Sequence, residues 1–146
     1  AVSTSEEGDG NWTHLAMTWD TTADELKGYV NGSQVASTVG SLGTFSGTID
    51  KCYLGRNTLT SNNYFKGYVD EAGVWGEILD DDAITAVYNS GKGINLTRNV
   101  GNYDNASDLI GYWKMEENTG TTVVDSSGNG ETGTLSHSSL FSTDTI

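Results

Sequence analysis

Between Trp12 and Trp19 apolar and β-branched residues alternate with a period of two, placing Thr13, Leu15, Met17 and Trp19 on one face and His14 and Ala16 on the other. That pattern predicts a strand. After the polar turn Asp20 to Asp24, Leu26 to Val30 predicts a second strand that stops at Asn31-Gly32. This dipeptide accepts positive φ at both central positions of a type I′ turn, so it returns the chain as a hairpin into Gln34 to Val39. Gly40 to Gly47 reads as a loop, Thr48 to Leu54 as a strand, and Arg56 to Asn63 as a polar connection.

Phe65 to Trp75 is expected to be one central strand, with Tyr68, Asp70, Ala72 and Val74 on one face and Val69, Glu71, Gly73 and Trp75 on the other. The period then changes. Leu79, Ala83, Ile84, Val87 and Tyr88 fall at helical spacing, which predicts one short helix within Ile78 to Tyr88. Asp80, Asp81 and Asp82 stand where carboxylates satisfy free N–H groups and the positive end of the helix dipole. Gly91 and Gly93 end the helix, and a long polar loop runs through Asp108. Strands are predicted at Leu109 to Met115, Thr121 to Val124 and Thr132 to Leu135, with a turn at Asp125 to Gly130 and a weakly ordered tail over Ser136 to Ile146.

A length of 146 residues allows one domain. Abundant turn-forming residues, 19 of them Gly, and the absence of Pro favour an all-β reading. Seven basic against 20 acidic side chains give a net charge of −13, which repels phosphate and makes nucleic acid a poor partner. No apolar run approaches the roughly 18 residues that a membrane span needs. Cys52 is the single cysteine, so neither an internal disulfide nor a Cys-based zinc cage can form.

Catalytic constellations are missing from the sequence. A nucleophile elbow and a phosphate loop are absent. Strand alternation points the adjacent acids Asp70 and Glu71 to opposite sides, and Glu116 and Glu117 likewise, so neither couple can flank one glycosidic bond. His14 and His137 have no nucleophile to activate, and His14 is expected to be a hydrogen-bonded packing residue. The expectation is a protein that is not an enzyme.

Three blocks together resemble the laminin-G-like branch of the concanavalin A-like lectin/glucanase superfamily. The first is Gly10-Asn-Trp-Thr-His-Leu-Ala-Met-Thr-Trp-Asp20 with Leu26-Lys-Gly-Tyr-Val-Asn-Gly32. The second runs from Phe65-Lys-Gly-Tyr-Val-Asp-Glu71 through Trp75 and Ile78-Leu79 to Tyr88-Asn-Ser-Gly91. The third is Leu109-Ile-Gly-Tyr-Trp-Lys-Met-Glu116 with Gly120 and Asp125-Ser-Ser-Gly-Asn-Gly130. The resemblance implies a jelly-roll β-sandwich over residues 1–135 with one short helix. In the family the third block usually opens a domain, and no counterpart of the front segment precedes Ala1. Residues 109–135 are therefore expected to fold back as the family's opening strands in a permuted or partial sandwich. Unpaired edges left by such a sandwich would favour homo-oligomers or strand exchange. The closing arrangement also resembles laminin-G-like virion proteins of marine bacteriophages.

Lectin-like sites stack a sugar on an aromatic ring and bind its hydroxyls with Asn, Asp or backbone groups. Tyr64 and Tyr103, with Asn62, Asn63 and Asn102, are the glycan-binding candidates, while Trp12, Trp19, Trp75 and Trp113 lie in strand-like runs and are expected in the core. Calcium is the cofactor that the resemblance implies. Its candidate ligands are Asp70 and, in Asp125-x-Ser127-x-Asn129-Gly130, Asp125 and Asn129; position twelve of that loop template is Ser136, which supplies no bidentate carboxylate. The sequence thus points to a non-catalytic binding or assembly module at an extracellular or virion surface, an adhesion, decoration or fibre component whose partners are glycans or other protein subunits. The alternative is a carbohydrate-binding lectin domain of a secreted or cell-surface protein.

Overall fold

The computed structural model describes the backbone of residues 2–4 and, in full, residues 11–40, 42–43, 52–55 and 64–136. Strands β1 (Val2–Thr4), β2 (Thr13–Asp20), β3 (Glu25–Val30), β4 (Ser33–Val39) and β5 (Val69–Asp70) form an antiparallel sheet in the order β4-β3-β2-β1-β5. β6 (Ala72–Trp75) pairs with β7 (Leu109–Trp113), and β8 (Thr122–Val123) with β9 (Gly133–Thr134). One α-helix, α1 (Asp81–Tyr88), lies between β6 and β7 in the chain. The described residues form the expected all-β fold with one short helix.

The β3–β4 hairpin follows its turn chemistry: Asn31 and Gly32 take φ of 49° and 75°. The Asn31 side chain adds a reason for its identity, because its Oδ1 accepts the His14 N–H at 3.0 Å while its own N–H donates to the His14 carbonyl at 2.9 Å. The turn is thereby tied to β2. Asp80 caps α1 by accepting the Ala83 N–H at 2.8 Å, an arrangement worth about 1 kcal/mol. The helix lies within the expected span, with Ile78 and Leu79 before the cap. It ends where Asn89, Ser90 and Gly91 take positive φ in succession.

One core collects Tyr29 from β3, Leu79, Ala83, Ile84 and Val87 from the helical segment, Leu96 and Tyr103 from the following connection, and Leu109 and Tyr112 from β7. Each fully buried Leu, Ile or Val side chain there contributes about 1.5–3 kcal/mol. On β2 the covered face is the one carrying Ala16, whereas Leu15, Met17 and Trp19 are exposed. Trp19 is 46% exposed, contrary to its expected place in the core, because α1 and β7 pack against the opposite side of the sheet. Trp12, Trp75 and Trp113 are half-buried.

The expected single strand from Phe65 to Trp75 is broken. Glu71 takes φ of 54° between β5, which pairs with β1, and β6, which pairs with β7. This left-handed residue turns the chain from one sheet into the other. Most of the strand expected over Thr48 to Leu54 lies outside the described residues, and Cys52 to Leu54 are not in strand conformation. Of the expected tail, Ser136 alone is described.

From β7, Leu109 and Tyr112 enter the core. Beyond the β6–β7 ladder, Ser126 donates its N–H to the Tyr112 carbonyl at 2.7 Å, and Trp113 bridges to Asp125.

Candidate functional site

Two short segments meet where the Phe65 N–H donates to the Gly55 carbonyl at 2.9 Å. Gly55 has φ of 72°, and a β-carbon added there would lie 3.8 Å from the Phe65 β-carbon. Four aromatic side chains of these two segments are exposed, Tyr53, Tyr64, Phe65 and Tyr68, with Tyr64 the most open at 61%. Leu54 is exposed beside them. Large apolar groups gathered on a surface mark a contact site, and phenol rings combine an apolar face with a hydroxyl, the two features a pyranose matches. Tyr64 was legible in the sequence. Phe65 and Tyr68 were read as parts of a strand; their exposure follows because β5 starts only at Val69.

The other glycan candidates divide. Asn62 and Asn63 lie outside the described residues. Asn102 is exposed in the turn between Val100 and Tyr103, which exchange two backbone hydrogen bonds of 2.9 and 3.0 Å. Tyr103 is a correction: it is fully buried. Its hydroxyl donates to the Leu96 carbonyl at 2.9 Å and accepts from Trp75 Nε1 at 3.0 Å, and its ring meets Trp75 edge-on with centroids 6.4 Å apart. The connection between α1 and β7 is long, and Tyr103 anchors it to the core, so no sugar reaches this ring.

The candidate metal ligands are engaged elsewhere. Asp125 is buried, with Oδ1 accepting the N–H groups of Tyr112 at 2.9 Å and Ser127 at 2.8 Å, and Oδ2 accepting the Ser127 hydroxyl at 2.8 Å and the Glu131 N–H at 3.0 Å. Burial opposes its charge, but the donors outweigh that penalty and hold the carboxyl well below the ordinary carboxylate range. Four donors fill the lone-pair positions of both oxygens. Asn129 directs its Nδ2 to the Leu109 and Ile110 carbonyls at 2.7 and 2.9 Å. Both side chains therefore clamp the turn onto β7. Among the described residues no group of three or more His, Cys, Asp or Glu side chains is placed to hold a metal ion.

Asp70, the third metal candidate, stands at the step between sheets. Burial and then the neighbouring Glu71 charge raise its carboxyl to about 6, while its Oδ1 accepts the Glu71 N–H at 3.1 Å. Glu71 is raised too, by burial first, and its carboxylate accepts the Tyr112 hydroxyl. The positive φ of Glu71 breaks strand alternation, so the sequence argument that these two acids must face opposite sides does not apply at this step. His14, expected as a hydrogen-bonded packing residue, packs its ring on Tyr88 with centroids 5.7 Å apart, but among the described residues neither ring nitrogen has a hydrogen-bond partner. Burial lowers its pKa to about 4.

A concavity of about 310 Å³ opens between the helix start and the sheet, lined in part by Thr18, Lys27, Tyr29, Ile78 and Asp81. Tyr29 donates its hydroxyl to Asp81 there at 2.7 Å.

The sequence profile of the concanavalin A-like lectin/glucanases superfamily matches residues 1–85, more than half of the chain. The chain belongs to that superfamily. A solved structure of a Bacteroides ovatus ATCC 8483 protein, provisionally designated a carbohydrate-binding protein, shares the fold at a TM-score of 0.59 over 87% of this chain, with 21% sequence identity. The chain spans 37% of that protein's length. No curated protein sequence matches the chain significantly. Within the superfamily match lie the hairpin turn at Asn31-Gly32, the aromatic junction and the step at Glu71, while the clamp at Asp125 lies beyond it.

Proposed function

We propose that the chain is a non-catalytic carbohydrate-binding module whose site is the aromatic shelf at the Gly55–Phe65 junction. The observation that carries this reading is the exposure of Tyr53, Tyr64, Phe65 and Tyr68 together on a protein of net charge −13. Folding gains nothing from leaving these rings in water, whereas a sugar face laid on them gains stacking and hydrogen bonds. The designation of the Bacteroides ovatus relative supports the same class of ligand. A non-catalytic role is favoured because Asp70 and Glu71 are each half-buried and engaged by Glu71 N–H and the Tyr112 hydroxyl. A glycan array followed by calorimetry tests the reading: a bound oligosaccharide should weaken at least about tenfold, or 1.4 kcal/mol, in Tyr64→Ala. The absence of binding at millimolar oligosaccharide, or full affinity in that variant, overturns it, and reducing ends released from a bound glycan would overturn the non-catalytic part.

A second reading, a component of a surface adhesion or virion assembly, draws on the outer face of β2. Leu15, Met17 and Trp19 are exposed in a row there, and a face of that kind fits another protein surface better than water.

A further inference from the structure

The segments that carry the aromatic shelf differ from the rest of the chain in charge. From Lys51 to Tyr68 the sequence holds Lys51, Arg56 and Lys66 and neither Asp nor Glu, which leaves four basic against all 20 acidic side chains elsewhere. At physiological salt an exposed charge is felt over about 8 Å, so acids beyond that distance are largely screened at the shelf. Of the three cations, Lys66 lies among the described residues, exposed between Phe65 and Gly67. Lys27 is paired with Glu25 at 3.5 Å and Lys114 lies over the Tyr112 ring at 5.5 Å, whereas Lys66 forms no ion pair among the described residues. Successive α-carbons stand about 3.8 Å apart, so this ammonium is carried between the exposed rings of Tyr64, Phe65 and Tyr68.

We propose that the glycan laid on the shelf bears a uronate, and that Lys66 receives its carboxylate. The inference rests on the shelf being the glycan site and adds the class of sugar. A uronic acid carries its carboxylate directly on the pyranose ring. One such unit therefore stacks its apolar face on a phenol while its charge meets an ammonium one or two positions along the chain. An exposed ion pair changes affinity by a small factor, roughly two- to fivefold. The rings thus supply most of the binding, and Lys66 selects the acidic sugar over a neutral one of the same shape.

Calorimetric titration of the full chain with oligomers of galacturonate, glucuronate and mannuronate, each beside its uncharged methyl ester, tests the proposal at about 0.15 M and about 1 M salt. At least one free acid is expected to bind roughly two- to fivefold tighter than its ester at the lower salt. At the higher salt, where the screening length falls to about 3 Å, acid and ester should bind equally. Lys66→Gln should remove the preference and leave the affinity for the ester unchanged, while Tyr64→Ala weakens acid and ester alike. An ester bound as tightly as its acid at the lower salt, a preference that survives Lys66→Gln, or a sulfated galactan oligomer bound more tightly than every uronate overturns the uronate assignment. So does binding of neutral oligosaccharides alone, and in each of these cases the shelf stands as the glycan site as long as Tyr64→Ala still weakens binding. Full affinity for every ligand in Tyr64→Ala, or no binding by any oligosaccharide, overturns the shelf and the uronate together.

Discussion

The hydroxyl of Tyr112 in β7 donates to the carboxylate of Glu71, the left-handed residue at which the chain leaves one sheet for the other. A strand residue of the β6–β7 ladder thus secures the corner that joins this ladder to the five-stranded sheet. Glu71 holds an unfavourable backbone conformation, of a kind that costs about 1–3 kcal/mol, and the phenol compensates by satisfying its half-buried carboxylate.

Tyr112→Phe removes the donor and leaves that carboxylate without it, so urea denaturation at pH 7 should show a loss of about 1–3 kcal/mol. An unchanged midpoint would mean that solvent replaces the bond.

Asp70 makes the same corner sensitive to pH. Its folded pKa of about 6 lies above the ordinary 3.8, so the folded state holds the proton more tightly than the unfolded state. Its favourable contribution is complete below about pH 4 and is lost as pH rises through 6. Asp70→Asn keeps the Oδ1 acceptor for Glu71 N–H and cannot ionise. This variant should be more stable than the parent at pH 7 and no more stable than the parent at pH 4, as judged by urea midpoints at the two values.

Asp125 has the opposite sign. Its carboxyl is depressed in the fold, so its contribution is present above the unfolded value near 4 and fades as the solution is acidified below it. Asp125→Ala abandons four donors and should cost about 3 kcal/mol or more at pH 7. Because those donors already fill both oxygens, millimolar calcium is expected to leave Tm where a chelator leaves it. A calcium-dependent rise would place a cation elsewhere, with Asp70 the carboxylate to replace first.

His14 is neutral in the fold with a pKa near 4, below the ordinary 6.5. The unfolded chain therefore binds the extra proton first, and stability falls as pH drops from 6.5 toward 4. Proton NMR should show the His14 ring titrating near 4. His14→Phe, which retains a ring against Tyr88, should flatten the stability profile over that window; an unchanged slope would assign the acid sensitivity to other groups.

Gly32 sits beneath the same tyrosine. A β-carbon there would lie 2.9 Å from Tyr88 Cδ1, on a residue whose φ is 75°. Gly32→Ala should cost more than the roughly 1 kcal/mol of an ordinary positive-φ substitution, since the hairpin must also lift from α1, where Thr85 donates its hydroxyl to the Gly32 carbonyl at 3.0 Å. Thermal melts of the variant and the parent measure the difference.

Local features were readable from the amino acids in order. Period-two alternation marked β2, Asn31-Gly32 marked the hairpin, Asp80 marked the helix start, and the joint motifs marked the superfamily. These depend on backbone preferences and side-chain bonds that span a few residues. Tertiary packing decided the rest. It chose the Ala16 face of β2 over the Leu15 face, drew Tyr103 inward while leaving Tyr64 in solvent, bent the chain at Glu71, and surrounded Asp125 with donors from Tyr112 and Glu131. Each of those outcomes depends on which distant segment arrives beside the residue, and a residue's own neighbours in sequence do not carry that information.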